Sequence, residues 1–284
     1  MSNNIIDGET GEMGTTHLKM IAESTLDTIN NGNYKKCGKT VILTTSGSQR
    51  DSAPWMARVT TYERAPCIEP REGPPSNVTV GAHSTLAGIA WMQPSWSDPV
   101  AVLNFASGKN PGGGFLRGAE AQEESIARSS TLYRSIKDSP HYQENRKCGT
   151  CAYLDTMLYS EDLVFKNDDG HYLDKPLPVG IITAAAPNRG AMLERREDTS
   201  GLPELLKHRV EKILGIAVNH GQKRIILGAW GCGVFHNNTM EVIDAFKCGL
   251  DKYGGHFDHV HFAILDVENG PMHSCFRLAL TETT

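Results

Sequence analysis

The segment that most constrains this chain runs from Asn110 to Glu124: Asn-Pro-Gly-Gly-Gly-Phe-Leu-Arg-Gly-Ala-Glu-Ala-Gln-Glu-Glu. It follows the apolar run Pro99 to Ala106 and leads into a helix-like stretch. Consecutive glycines let a backbone turn tightly and leave its N–H groups uncovered. Beside a helix N-terminus such groups form an anion site suited to phosphate. Strand, glycine turn and helix in this order point to an open α/β sheet, where ligands bind beyond the carboxyl ends of strands.

The rest of the chain repeats that alternation. Strands are expected at Thr40–Thr45, Asn77–Val80, Pro99–Ala106, Asp162–Lys166, Val179–Ala186, Arg224–Ala229 and Asp258–Asp266. Helices are expected at His17–Ile29, Ser84–Met92, Glu120–Ile136, Pro203–Asn219 and Thr239–Tyr253, with Ser84 as one N-cap and Asn238 or Thr239 as another. Residues 46–77 read as an irregular surface excursion and 138–155 as a polar insertion. Strands alternating with helices imply parallel crossovers and a three-layer α/β core. Residues 1–14 read as a flexible terminus. Residues 15–284 read as one domain, with a helical and irregular part to about 76 and a core from 77 onward.

With 284 residues, 39% of them hydrophobic and 21% charged, the chain has the make-up of an ordinary globular protein. Its formal net charge of -5 argues against a broad nucleic-acid or anionic-membrane surface, though not against a pocket for one nucleotide unit. No apolar run reaches the length of a membrane span, and the N-terminus shows no signal-peptide pattern. Seven irregularly spaced cysteines suit free thiols in a reducing, intracellular setting, cytoplasmic or nuclear.

A second glycine loop, Gly228-Ala229-Trp230-Gly231-Cys232-Gly233-Val234-Phe235, also follows a strand and precedes a helix. Neither loop is a dinucleotide-binding Gly-x-Gly-x-x-Gly with its acidic partner, and neither is a Gly-x-x-x-x-Gly-Lys-Ser/Thr phosphate loop. Two loops of one chemistry at the ends of two strands suit the two sides of a diphosphate, and Phe235 is placed to stack on a base or ribose.

Glu123 and Glu124 are adjacent on a helix, so their side chains point about 100° apart. They cannot share one task. One carboxylate can act on the ligand while the other holds it, which differs from the opposed pair of a two-carboxylate glycosidase. A helix N-terminus favours the ionised carboxylate, whereas a general acid must carry a proton. A bound diphosphate and closure of the pocket would favour the protonated form again.

Gly112-Gly113-Gly114, seven residues, then Gln122-Glu123-Glu124 resembles the signature of poly(ADP-ribose) glycohydrolases. The preceding Leu103 to Pro111, the Ala185-Ala186-Pro187-Asn188 block, the loop from Gly228 to Phe235, and Ile21 to Leu26 with Gly32-Asn33-Tyr34 are similar to the smaller microbial-type branch. The likeness spans about residues 15–270. It implies a macrodomain-like fold: a mixed, mostly parallel sheet between helices, with ADP-ribose in a crest cleft. It further implies Glu124 as general acid and then base, and Glu123 as the group that orients the ribose. ADP-ribose contacts are implied at Asn110, Gly112, Gly113, Gly114, Gln122, Gly231, Cys232, Gly233, Val234 and Phe235. No cofactor or metal is implied. The expected ligands are ADP-ribose and poly(ADP-ribose) or ADP-ribosylated macromolecules. The expected reaction is hydrolysis of ribose–ribose bonds from the chain end. Removal of a single ADP-ribose from protein or nucleic acid, and a non-catalytic ADP-ribose reader, are the alternatives.

Other chemistry-bearing residues read as structural. Cys148-Gly149-Thr150-Cys151 lacks a second cysteine pair at metal-site spacing. Cys232 is near His236 in sequence, which alone does not aim a base at a thiol. His259 and His261 share a strand face, with His256 close by, but no carboxylate or cysteine completes a metal site. Trp91, Trp96 and Trp230 read as packing residues, and Lys109 as a solvated lysine.

Overall fold

The computed structural model describes residues 7–44 and 54–281. In chain order the elements are α1 (Asp7–Asn31), β1 (Asn33–Lys36), β2 (Lys39–Ile42), β3 (Val59–Tyr62), β4 (Val78–Ala82), α2 (Thr85–Met92), β5 (Val100–Phe105), α3 (Gln122–Ser129), α4 (Leu132–Ile136), α5 (Pro140–Lys147), β6 (Met157–Lys166), β7 (Tyr172–Ala184), α6 (Arg189–Glu194), α7 (Leu202–Asn219), β8 (Arg224–Leu227), α8 (Thr239–Tyr253), β9 (His259–Ile264) and α9 (Pro271–Thr281). A 3-10 turn at Phe115–Arg117 closes the first glycine loop.

Seven strands form one sheet in the order β3-β6-β7-β5-β8-β9-β4. The run from β7 through β5, β8 and β9 to β4 is parallel, and β6 runs antiparallel to both of its neighbours. β5 lies in the middle, and its residues Val100, Ala101, Val102 and Leu103 are fully buried. That is the pattern of a strand covered on both faces. One face packs against α7 and α8 through Leu206, Val210, Ile213, Val242 and Phe246. The other packs against α2, α3 and α4 through Leu86, Ile89, Ile126, Leu132 and Ile136. This is the mixed, mostly parallel three-layer architecture that the alternation implies.

Ser84 caps α2 by accepting the Ala87 N–H at 3.0 Å, and Asn238 caps α8. Three expectations are corrected. The helix expected over Glu120–Ile136 is two helices, because Ser130 is extended (φ -144°) and Thr131 N–H donates to Leu163 O of β6. The Thr131 and Ser135 hydroxyls each donate to buried Asp162 at 2.7 Å, an alternative partner that draws this serine- and threonine-rich stretch out of helical register. The excursion at 46–77 contains β3, which pairs with β6 at the sheet edge. The strand expected at Thr40–Thr45 is β2, hairpin partner of β1 and separate from the main sheet; Thr45 lies outside the described residues.

The expected flexible terminus is also divided: residues 1–6 lie outside the described residues, and 7–14 fall within α1. Helix α1 backs the first glycine loop, where Ala22 packs with Phe115 and Ala127. Among the described residues, no helix is long and apolar enough to cross a membrane.

Candidate active site

The site is built where β5 ends. Gln122, the first residue of α3, accepts the Phe105 N–H at 2.8 Å and donates to Leu103 O at 2.7 Å. These bonds fasten the start of α3 to the last turn of the strand. The two residues that follow are thereby fixed against the glycine loop.

Glu123 is 2% exposed. One oxygen, Oε2, accepts the Ser107 N–H at 2.6 Å. The other, Oε1, accepts the Gly112 N–H at 3.2 Å and the Asn104 amide at 3.3 Å. Burial pushes its carboxyl up to about 8, aided by the neighbouring Glu124 and opposed by these three donors. Glu124 is 9% exposed and accepts the Gly114 N–H at 2.8 Å through Oε1. The adjacent glutamates thus divide as the helix geometry requires. Glu123 is tied into the protein, and Glu124 lies at the cleft against the loop.

The glycine at 113 is required twice over. Its φ of +59° lies in the left-handed region, and an added Cβ would meet Glu124 Oε1 at 2.1 Å.

The cleft has a volume of about 970 Å³ and is lined by both glycine loops. Asn110, Gly113, Gly114, Gln122, Glu123 and Glu124 form one wall, and Gly231, Cys232, Gly233, Val234 and Phe235 form the facing one. Gly112 is the expected contact that does not line the cleft; its N–H turns inward to Glu123. In the second loop Gly231 has φ +73°, and a Cβ there would lie 2.5 Å from both Ala186 Cβ and Asn237 Nδ2. Asn237 closes that turn by donating to Pro187 O and Gly231 O. Trp230 is fully buried and donates to Ala184 O at 3.0 Å, so it packs as expected. Trp91, though partly exposed, packs its ring against His259 and His261 at centroid distances of 5.5 and 4.8 Å, whereas Trp96 stays exposed. Phe235 faces Tyr153, their ring centroids 5.9 Å apart.

The remaining candidates take structural roles. Burial pushes the Cys232 thiol up to about 11, and His236 turns its ring onto Gly190, so no thiol–imidazole pair forms. Cys148 and Cys151 are free thiols. Among the described residues no group of three or more His, Cys, Asp or Glu is arranged to hold a metal. His259 and His261 both bond to Thr79. Burial first, then His83 and His259, pushes His261 down to about 4.

Sequence reasoning missed several parts of the site. Asn104 and the Ser107 N–H hold Glu123, and the cleft is also lined by Ser84, Thr85, Asp168, Leu265, Asp266 and Met272. A polar residue inside the apolar run of β5 was the available signal for Asn104. The last three belong to β9's exit and to α9, whose short apolar pattern gives no such signal.

The family model for the microbial-type poly(ADP-ribose) glycohydrolase catalytic domain matches residues 22–168. The poly(ADP-ribose) glycohydrolase from Thermomonospora curvata is 34% identical, covering 92% of this chain and 98% of that one at a TM-score of 0.79. The same enzyme bound to the inhibitor ADP-HPD superposes at a TM-score of 0.75, again at 34% identity, covering 91% of this chain and 97% of that one. The enzyme from Deinococcus radiodurans in complex with ADP-ribose is 41% identical over 72% of this chain and 84% of that one, at a TM-score of 0.66. Comparison with curated protein sequences gives no match. Identity and coverage at this level, together with the two-loop cleft, show that the chain belongs to the microbial-type poly(ADP-ribose) glycohydrolase family, a family of glycosidases.

Proposed function

We propose that this chain hydrolyses the O-glycosidic ribose–ribose bonds of poly(ADP-ribose) from the chain end and releases ADP-ribose, with Glu124 as the general acid and base. The observation that carries the assignment is the position of Glu124, 2.8 Å from the Gly114 N–H in a cleft walled by two glycine loops. The N–H groups of Gly233, Val234 and Phe235 in the second loop would face the diphosphate, because those of Gly112, Gly113 and Gly114 are bonded to Glu123, Asn110 O and Glu124. Glu124 would protonate the leaving ribose oxygen, then take a proton from water attacking the oxocarbenium-like centre. Glu123 would hold the ribose.

Residues 15–284 act as one catalytic unit in this reading. Its support is α1, which packs on the 3-10 turn through Phe115 and donates Thr25 Oγ1 to Arg128 O in α3. A non-catalytic reader has no need of two acids against the glycine loop, so the enzyme reading is preferred. The test is release of free ADP-ribose from three substrates: poly(ADP-ribose), mono-ADP-ribosylated protein and mono-ADP-ribosylated nucleic acid. Release from polymer alone, or far faster from polymer, is expected. Release only from the mono-modified substrates would replace the polymer assignment, and ADP-ribose binding without release from any of them would make the chain a reader.

A further inference from the structure

Asn104 is fully buried at the end of β5, one strand residue away from the loop that carries the site. Its Nδ2 donates to Glu123 Oε1 and to Thr183 Oγ1 of β7, both at 3.3 Å. Its Oδ1 has no hydrogen-bond partner among the described residues. A buried, unpartnered amide oxygen is costly, and such a group calls for a role.

Glu123 supplies one. A carboxylate offers about four lone pairs. Three are taken by Ser107 N–H, Gly112 N–H and the Asn104 amide, which leaves about one for a sugar hydroxyl. The two ends of an amide have the same shape. A half-turn about Cβ–Cγ would bring Oδ1 to face Glu123 Oε1 and the Thr183 hydroxyl. Both of those can donate to it, provided that Glu123 carries its proton. One amide orientation therefore matches Glu123 as a carboxylate, and the other matches it as a carboxylic acid.

We propose that Asn104 is a positioning residue for the reaction: its buried amide fixes the Glu123 carboxyl and, by the end it presents, selects the carboxylate or the carboxylic acid form of that group. The inference rests on the reading of Glu124 as the proton carrier. The groups whose charge reaches Glu123 are Glu124 beside it on α3 and the buried Tyr142 on α5. From β5 and β7 its partners are uncharged, Asn104 directly and Thr183 through it. Burial also favours the protonated acid. Asn104 is then the adjustable element between two otherwise fixed donors.

The test compares wild type with Asn104→Leu, Asn104→Asp and Thr183→Val. The readouts are kcat on poly(ADP-ribose) across pH, affinity for ADP-ribose, and thermal unfolding. Asn104→Leu should keep ADP-ribose affinity within about threefold, lower kcat at least about tenfold and displace the pH profile. Asn104→Asp sets a second carboxyl against Glu123 and should move the alkaline limb to higher pH. Thr183→Val frees the amide and should displace the profile with the fold intact, which keeps the test available if Asn104→Leu does not fold. Folded variants whose pH profiles coincide with wild type, whether or not their Tm falls, would overturn the proposal, because packing alone predicts that result. A wild type that releases no ADP-ribose from polymer would remove the functional reading and this inference with it. An active wild type with indifferent variants would remove this inference alone.

Discussion

A Cβ placed on Gly113 would lie 2.1 Å from Oε1 of Glu124, inside any permitted contact distance. The loop and the acid are therefore one device. The backbone approaches the carboxylate closely enough for Gly114 to donate to it at 2.8 Å only because residue 113 has no side chain. Gly113→Ala should displace Glu124, and misplacing a catalytic group by about 1 Å lowers a rate about 100-fold. The left-handed φ adds a stability loss of about 1 kcal/mol. Steady-state kinetics with a melting curve checks both. Wild-type kcat in Gly113→Ala would show that Glu124 does not depend on this contact.

Glu123 makes stability depend on pH in a defined direction. Its folded carboxyl is pushed up to about 8 from an ordinary value of 4.5. The folded state then holds a proton that the unfolded state has released. Its contribution is fully present below about 4.5 and is lost as pH rises toward about 8. Urea unfolding between pH 5 and pH 8 should show wild-type stability falling with pH relative to Glu123→Gln, which has no proton to lose. Parallel curves for the two proteins would contradict this.

The second loop should govern binding more than chemistry. Gly231→Ala has to be accommodated against Ala186 and Asn237 at a φ of +73°. Displacing that wall should weaken ADP-ribose binding by about tenfold, or 1.4 kcal/mol, with a smaller change in kcat. Calorimetric titration with ADP-ribose beside kinetics separates the two effects. A fall in kcat with unchanged affinity would assign the loop a different role.

Asp155 holds two buried cations. It accepts from Arg209 at 3.3 Å and from Lys212 at 3.0 Å, while Arg209 also donates to Tyr153 O. Asp155→Ala leaves both cations without a carboxylate. Loss of one partner from a buried pair destabilises by about 3–5 kcal/mol, reduced here toward about 2 because Asp155 is partly exposed. Tyr153, which packs on Gly108 and faces Phe235, should loosen as well. Chemical denaturation measures the first effect. An unchanged midpoint would show that the network contributes nothing net.

The parts of this molecule that were legible from sequence are those set by local chemistry. The apolar run of β5, the Ser84 and Asn238 caps, and the different surroundings of Glu123 and Glu124 all follow from residue type and helix periodicity. The parts that were not legible depend on distant partners. Ser130 leaves the helix because β6, more than 30 residues later in sequence, offers its backbone and Asp162 offers a carboxylate. Gln122 lines the cleft, and its amide also bonds the β5 backbone, a contact that the local sequence does not show. α9 has a pattern too short to stand out, and its place in the cleft wall is set by the whole sheet. Asn104 was in plain sight as a polar residue in a buried strand, but its partner Thr183 is brought beside it only by the β5–β7 register.

The central claim is that Glu124 carries the proton in glycoside cleavage, and Glu124→Gln tests it most directly. The variant keeps the shape of the side chain and removes its acid and base function. Wild type should release ADP-ribose from poly(ADP-ribose), and Glu124→Gln should release it about 100- to 10,000-fold more slowly while binding ADP-ribose with similar affinity. Release at the wild-type rate by a folded, ADP-ribose-binding Glu124→Gln protein would contradict the account.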